Sequence, residues 1–169
     1  MNIFKNNRID INQVDYVIVK EDENQNSVRY GDIFFTISSE TAEEVGMSSV
    51  LLEEVERLYL NSFCFGFRLN NFKVLLPQFA AFILRSSNIR KQISILGQGA
   101  TRYNLSKNQL MKLILKLPTI AEQKKIAEVL TLSDQEIETL QKKLDCLQQE
   151  KKALMQQLLT GKKRVKVAA

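Results

Sequence analysis

Histidine is absent from this 169-residue chain. That one absence removes His-dependent catalytic triads, His-ligated zinc and HNH-type nuclease chemistry. The two cysteines, Cys64 and Cys146, lie far apart in sequence and outside any CxxC, so neither a disulfide framework nor a metal or redox site is expected. Glycine is sparse, at six residues, and no GxxxxGK[ST] is present to cradle a nucleotide. Gly97-Gln98-Gly99 lacks the third glycine of a dinucleotide fingerprint and reads as a turn. No apolar run reaches the roughly 18 residues of a membrane span. The nearest, Val74 to Leu84, is interrupted by Pro77 and Gln78. The opening MNIFKNNRID lacks the basic-then-apolar layout of a signal peptide, and a cytoplasmic location is expected.

What remains is ordinary globular composition, 44% hydrophobic and 25% charged, in a length that suits one domain or a small domain with an appendage. Charge is laid unevenly along it. Residues 1–56 hold four basic and twelve acidic side chains, whereas residues 57–117 hold ten basic ones and no carboxylate. A 61-residue stretch without a carboxylate is the electrostatic footprint of nucleic-acid binding. Pairing of that stretch with the acidic first third inside the fold accounts for the same pattern.

Val14 to Lys20 (VDYVIVK) alternates like a strand, and Val28 to Ile37 is a second β-rich stretch with a turn at Tyr30-Gly31-Asp32. In Leu58 to Leu69, Phe63, Phe65, Phe67 and Leu69 share one face, read as buried core. Pro77 suits a helix start, and Phe79, Phe82, Ile83, Ile89 and Ile93 continue at helical spacing to residue 95, a helix whose Arg85, Arg90 and Lys91 are expected to face DNA and supply phosphate affinity. The glycine-punctuated loop Leu96 to Leu105 carries Thr101, Arg102, Tyr103 and Asn104, the side chains of a DNA-contact loop. Ser106 with Gln109 forms a capping box for a short helix after it.

Beyond Pro118 the pattern changes. Thr119 and Glu122 form another capping box, and no Gly or Pro follows until Gly161, so one long helix is expected from about 120 to 160. Its seam takes Leu130, Ile137, Leu144, Lys151 and Leu158 at a, with Ile126, Ser133, Leu140, Leu147 and Leu154 at d. The 33 residues from 126 to 158 span about 50 Å, too long for a small domain to cover, so a partner helix is required. A parallel homodimer stacks Lys151 on its own copy. An antiparallel one, with opposed numbers summing to 284, sets Ser133 against Lys151 and apolar against apolar elsewhere. The expected architecture is α+β: a recognition globule over residues 1–117 and a long helix with a basic tail over 118–169.

Four stretches resemble specificity (S) subunits of type I restriction-modification enzymes: Gly31 to Glu54, Gly99 to Leu105 (GATRYNL), Leu117 to Val129 (LPTIAEQKKIAEV) and Leu154 to Val165 (LMQQLLTGKKRV). The resemblance implies a target-recognition domain reading one half of a split double-stranded DNA sequence, then a spacer helix that docks methyltransferase (M) subunits. It also implies no catalysis by this chain. Adenine methylation from S-adenosylmethionine belongs to the M subunit and ATP-driven cleavage to the restriction (R) subunit. Family members usually carry two recognition domains and two helices, so the chain reads as half a subunit whose first strands are missing. Ile37 stands where the family often has Arg. The alternative reading is a truncated protein-interaction module that dimerises, or assembles with M or S subunits, through its helix without reading DNA itself. An enzyme is disfavoured, since Glu122-Gln123-Lys124 is the only nominal tail of a PD...ExK nuclease centre and no Pro-Asp precedes it.

Overall fold

The computed structural model describes residues 2–20 and 22–166. It divides into two units, residues 1–127 and residues 128–169. Within the first, a short helix α1 (Asn2–Lys5) and a single 3-10 turn (Ile11–Gln13) precede the strands β1 (Ile33–Thr36), β2 (Ser38–Ser39), β3 (Ser48–Val50) and β4 (Cys64–Phe67). Helices α2 (Pro77–Ile83) and α3 (Ser87–Leu96), strand β5 (Tyr103–Asn104) and helix α4 (Lys107–Leu110) follow. Helix α5 (Ile120–Leu159) begins in this unit and makes up most of the second. The mixture of small antiparallel sheets and helices is the expected α+β class. No helix among the described residues is long and apolar enough to cross a membrane.

β1 is the centre of a three-stranded antiparallel sheet in the order β3-β1-β4. All four of its residues, IFFT, are buried, because alternate side chains serve two cores. Ile33 and Phe35 join Val50, Leu75, Phe79, Ala80, Leu84, Ile89 and Ile93 on the helical side, while Phe34 joins Ile3, Ile9, Val28, Leu51 and Cys64 on the other. The turn expected at Tyr30-Gly31 is present, with Gly31 at φ 83°.

Three local expectations are corrected. Val14 to Lys20 is not a strand: no described strand pairs with it, and Tyr16 and Ile18 are 98% and 95% exposed. An alternating pattern becomes a strand only where a neighbour accepts its backbone bonds. The aromatic row of β4 is shorter than expected, because Phe63 lies in the turn before the strand, its amide donating to Asn61 Oδ1 at 2.8 Å, and is exposed. Phe65 and Phe67 do pack on the helical-side core, Phe67 meeting Phe35 edge-on at 5.6 Å. Finally, the single helix expected over 77–95 is two. The chain leaves α2 through short-range bonds, Arg85 N to Phe82 O and Ser86 N to Ile83 O, both 3.0 Å, and Ser86 then turns extended (ψ 148°) to start α3 afresh. Serine favours this N-cap conformation over a helix interior.

In α5, Thr119 and Glu122 close the expected capping box: Glu122 Oε2 accepts from the Thr119 amide at 2.9 Å and from its hydroxyl at 2.7 Å. One residue on, Gln123 is fully buried, and its amide holds three main-chain groups. The seam residues lie exposed along the helix, Leu130 at 38% and Ile137 at 65%. Gly161, at φ 72°, ends it by the left-handed glycine turn common at helix C-termini, Lys163 N donating to Gln157 O at 2.9 Å.

Candidate nucleic-acid interface

The loop that follows α3 is a small hairpin. Gln98 and Asn104 exchange backbone bonds of 2.9 and 2.8 Å, and β5 pairs antiparallel with β2 so that Ser38 faces Asn104 and Ser39 faces Tyr103. Gly99 makes the tight return possible. Its φ is +143°, and a Cβ placed there would lie 2.0 Å from the Arg102 carbonyl oxygen. Only glycine fits. Asn104 Nδ2 donates to that same carbonyl at 3.2 Å, which holds the tip closed from its other side.

This geometry sorts the candidate contacts. Thr101 and Arg102 are exposed at the tip, Asn104 is exposed beside it, and Lys91 is exposed on α3. Tyr103 is half-buried and packs on the helical-side core, so its ring anchors the hairpin. Leu105, buried behind it, donates its amide to Ile37 O at 2.7 Å. Ile37 also donates to Phe63 O at 3.1 Å, so the position where an arginine was expected lies beside the hairpin.

Arg85 and Arg90, expected to face DNA, point inward. Arg85 donates to the carbonyls of Ser48 (2.7 Å), Ile3 and Asn6 (both 2.8 Å), tying α1 to the sheet. Arg90 donates to the carbonyls of Gly46 (2.6 Å), Glu43 (2.7 Å) and Val45 (2.6 Å). Helical spacing alone cannot tell an outward arginine from one whose fork wraps back onto carbonyls. Burial pushes the Arg85 pKa down to about 10, the nearby Arg90 charge adding to the effect, and burial lowers Arg90 as well. Both remain cations at neutral pH and contribute positive potential without reaching solvent fully.

The basic middle segment therefore does face the acidic first third, but largely through backbone dipoles. Among the described residues Arg68 is the exception: its guanidinium meets Asp32 at 2.6 Å, and that bond raises the Arg68 pKa. Lys91, Arg102, Lys107, Lys112 and Lys116 are exposed, with Lys107 5.4 Å from the centre of the Phe67 ring. Ser106 stands at the N-cap of α4 without closing the expected capping box, since its side chain makes no cap bond. The four-residue α4 is held instead by backbone bonds such as Leu110 N to Ser106 O at 3.0 Å.

Sequence reasoning missed the segment of residues 38–46, which lies against the hairpin. Its short polar run gave no periodic signal, although it lies inside the family-like stretch Gly31 to Glu54. Among the described residues no three His, Cys, Asp or Glu side chains group closely enough to hold a metal ion.

The sequence profile of the type I restriction-modification DNA specificity domain matches residues 2–149. The chain belongs to that family. The specificity chain is 31% identical over 159 residues to a protein of Methanocaldococcus jannaschii named for the MjaX specificity subunit of a type I restriction enzyme, covering 90% of this chain and 36% of that one. It is 36% identical over 89 residues to the type I restriction enzyme MjaVIII specificity subunit of the same organism, covering 53% of this chain and 21% of the relative. The specificity chain thus spans well under half the length of either relative.

Proposed function

We propose that this chain reads one half of a bipartite double-stranded DNA target for a type I restriction-modification system and docks M subunits through α5. In this reading R subunits join through the assembled complex, and the chain catalyses nothing itself. The observation that carries it is the hairpin tip: Thr101 and Arg102 stand exposed on a turn fixed by Gly99, in the domain that matches the family. Arg and Asn pair bidentately with guanine and adenine edges, and Thr reaches phosphates. Lys91 and the other exposed cations of residues 57–117 supply sequence-independent affinity.

α5 pairs with the same helix of a second copy, antiparallel and centred at residue 142. Ser133 favours this register: its hydroxyl donates to Val129 O at 3.1 Å, leaving its lone pairs to receive Lys151 of the other copy.

The second reading, an interaction module that does not read DNA, is favoured by the inward Arg85 and Arg90. One experiment separates the two. In complex with an M subunit, Arg102→Ala should lose on the order of 1 to 3 kcal/mol of specific binding. Lys91→Ala should weaken all sequences alike and lower the salt slope by about 1. Unchanged binding in both variants overturns DNA reading and supports the interaction module.

A further inference from the structure

We propose that Arg90 is a positioning residue for DNA reading, bolting the turn of residues 43–46 beside the hairpin of residues 98–104 so that both segments meet a duplex as one rigid surface. The inference rests on the DNA-reading function proposed above. It gives Arg90 a different role from the phosphate contact that its place in the sequence suggested.

Three sets of contacts join the two segments, and Arg90 underlies them. β2 and β5 are laddered, Ser38 to Asn104 and Ser39 to Tyr103. Gly46, at φ +64°, lets the turn close onto the hairpin, since a Cβ there would come within 2.6 Å of Leu105 and 2.7 Å of Ile93. Gly97, at the root of the hairpin, is packed as closely, a Cβ there lying 2.8 Å from Val45. On the solvent side, Glu44 accepts from the hydroxyls of Thr41 (2.9 Å) and Ser39 (3.3 Å). From beneath, the Arg90 guanidinium holds the carbonyls of Glu43, Val45 and Gly46 at 2.6 to 2.7 Å.

The chemistry requires an arginine. Three carbonyls arrayed around a turn match a planar fork of donors, each bond being charge-assisted, whereas a lysine ammonium is a single point on a flexible stem. Three of the five N–H donors of Arg90 sit on these carbonyls, so most of the bonding capacity of its guanidinium faces the turn. Its effect on binding comes through the placement of residues 38–46 against Thr101 and Arg102. Base readout from loops depends on such supporting contacts, while backbone attraction does not.

The test uses the full chain assembled with an M subunit and two duplexes: one enriched by the wild-type complex from a randomised pool, and a scrambled duplex of the same composition. Affinities for both are measured across a salt series, with thermal unfolding as the check on folding. Arg90→Lys keeps the charge but should lose about tenfold or more of the discrimination between the duplexes, with scrambled-duplex affinity and salt slope unchanged. Full discrimination in Arg90→Lys overturns the inference, because charge alone then suffices. Equal weakening on both duplexes in Arg90→Ala, with the salt slope lower by about 1, also overturns it, in favour of a phosphate contact. Should Arg90→Lys fail to fold, Ser39→Ala with Thr41→Val frees the same turn without changing charge. Loss of discrimination there supports the bolt, and retention overturns it. A wild-type complex that enriches no sequence overturns the DNA-reading function itself, and the inference with it.

Discussion

Gln123 in the first turns of α5 accepts the amide of Leu76, the residue before α2, on its Oε1 at 3.0 Å. Its Nε2 donates to Val74 O and Pro118 O, both at 2.9 Å, so one fully buried amide satisfies three main-chain groups from two segments. With the buried Ala127, it makes the start of the long helix part of the compact unit.

Replacing Gln123 by Leu keeps the volume and removes every one of these bonds. Three main-chain groups lose their partner, and the expected cost is on the order of 3 kcal/mol. Urea denaturation should show a midpoint shift to match, with the m-value unchanged. A loss below about 0.5 kcal/mol would mean that water replaces the amide.

Glu122 supplies a pH signature. The Thr119 hydroxyl, and then the Thr119 amide, hold its carboxyl below the ordinary carboxylate range. A proton therefore binds Glu122 more weakly in the folded chain than in the unfolded one. The stabilisation is present above the unfolded pKa and is lost as pH falls through the folded one. Glu122→Gln cannot titrate. Melting temperatures taken from about pH 7 to about pH 3 should show a wild-type advantage that fades in acid. A difference that stays constant would show that the cap does not depend on charge.

The sequence made part of this molecule legible and left part hidden, for identifiable reasons. Elements whose partners are local were readable: the Thr119–Glu122 cap, Pro77 at the start of α2 and the turn at Gly31 each depend on residues a few positions apart. β1 was readable because a strand buried on both faces shows a continuous apolar run, here Ile33-Phe34-Phe35. Val14 to Lys20 misled because alternation reports a willing strand and not the presence of its neighbour. The carbonyl bonds of Arg85 and Arg90 were not legible because their partners lie 37 to 82 residues away in sequence. At the candidate site, the exposure of Thr101, Arg102 and Asn104 agrees with a loop picked out by composition and glycine spacing. The supporting segment 38–46 was not, since backbone ladders and carbonyl clamps leave no side-chain signature.

The direction of helix pairing is open to cross-linking. In a background with Cys64 and Cys146 replaced, Leu140→Cys and Leu144→Cys chains are mixed under mild oxidation. The antiparallel register sets 140 of one copy against 144 of the other, so the mixture should form a heterologous disulfide far more readily than either variant alone. Efficient self-linking of Leu140→Cys by itself would indicate a parallel pair.

The central claim is that each copy reads one half-site and that α5 pairs the copies about a two-fold axis. Selection of bound duplexes from a randomised pool, using the intact chain assembled with an M subunit, tests both parts at once. Two-fold symmetry in the protein is mirrored in the DNA that it selects. The predicted result is an inverted repeat of one short half-site about a spacer of fixed length, lost in Arg102→Ala. Enrichment of a single uninterrupted site, of direct repeats, or of no sequence would contradict the account.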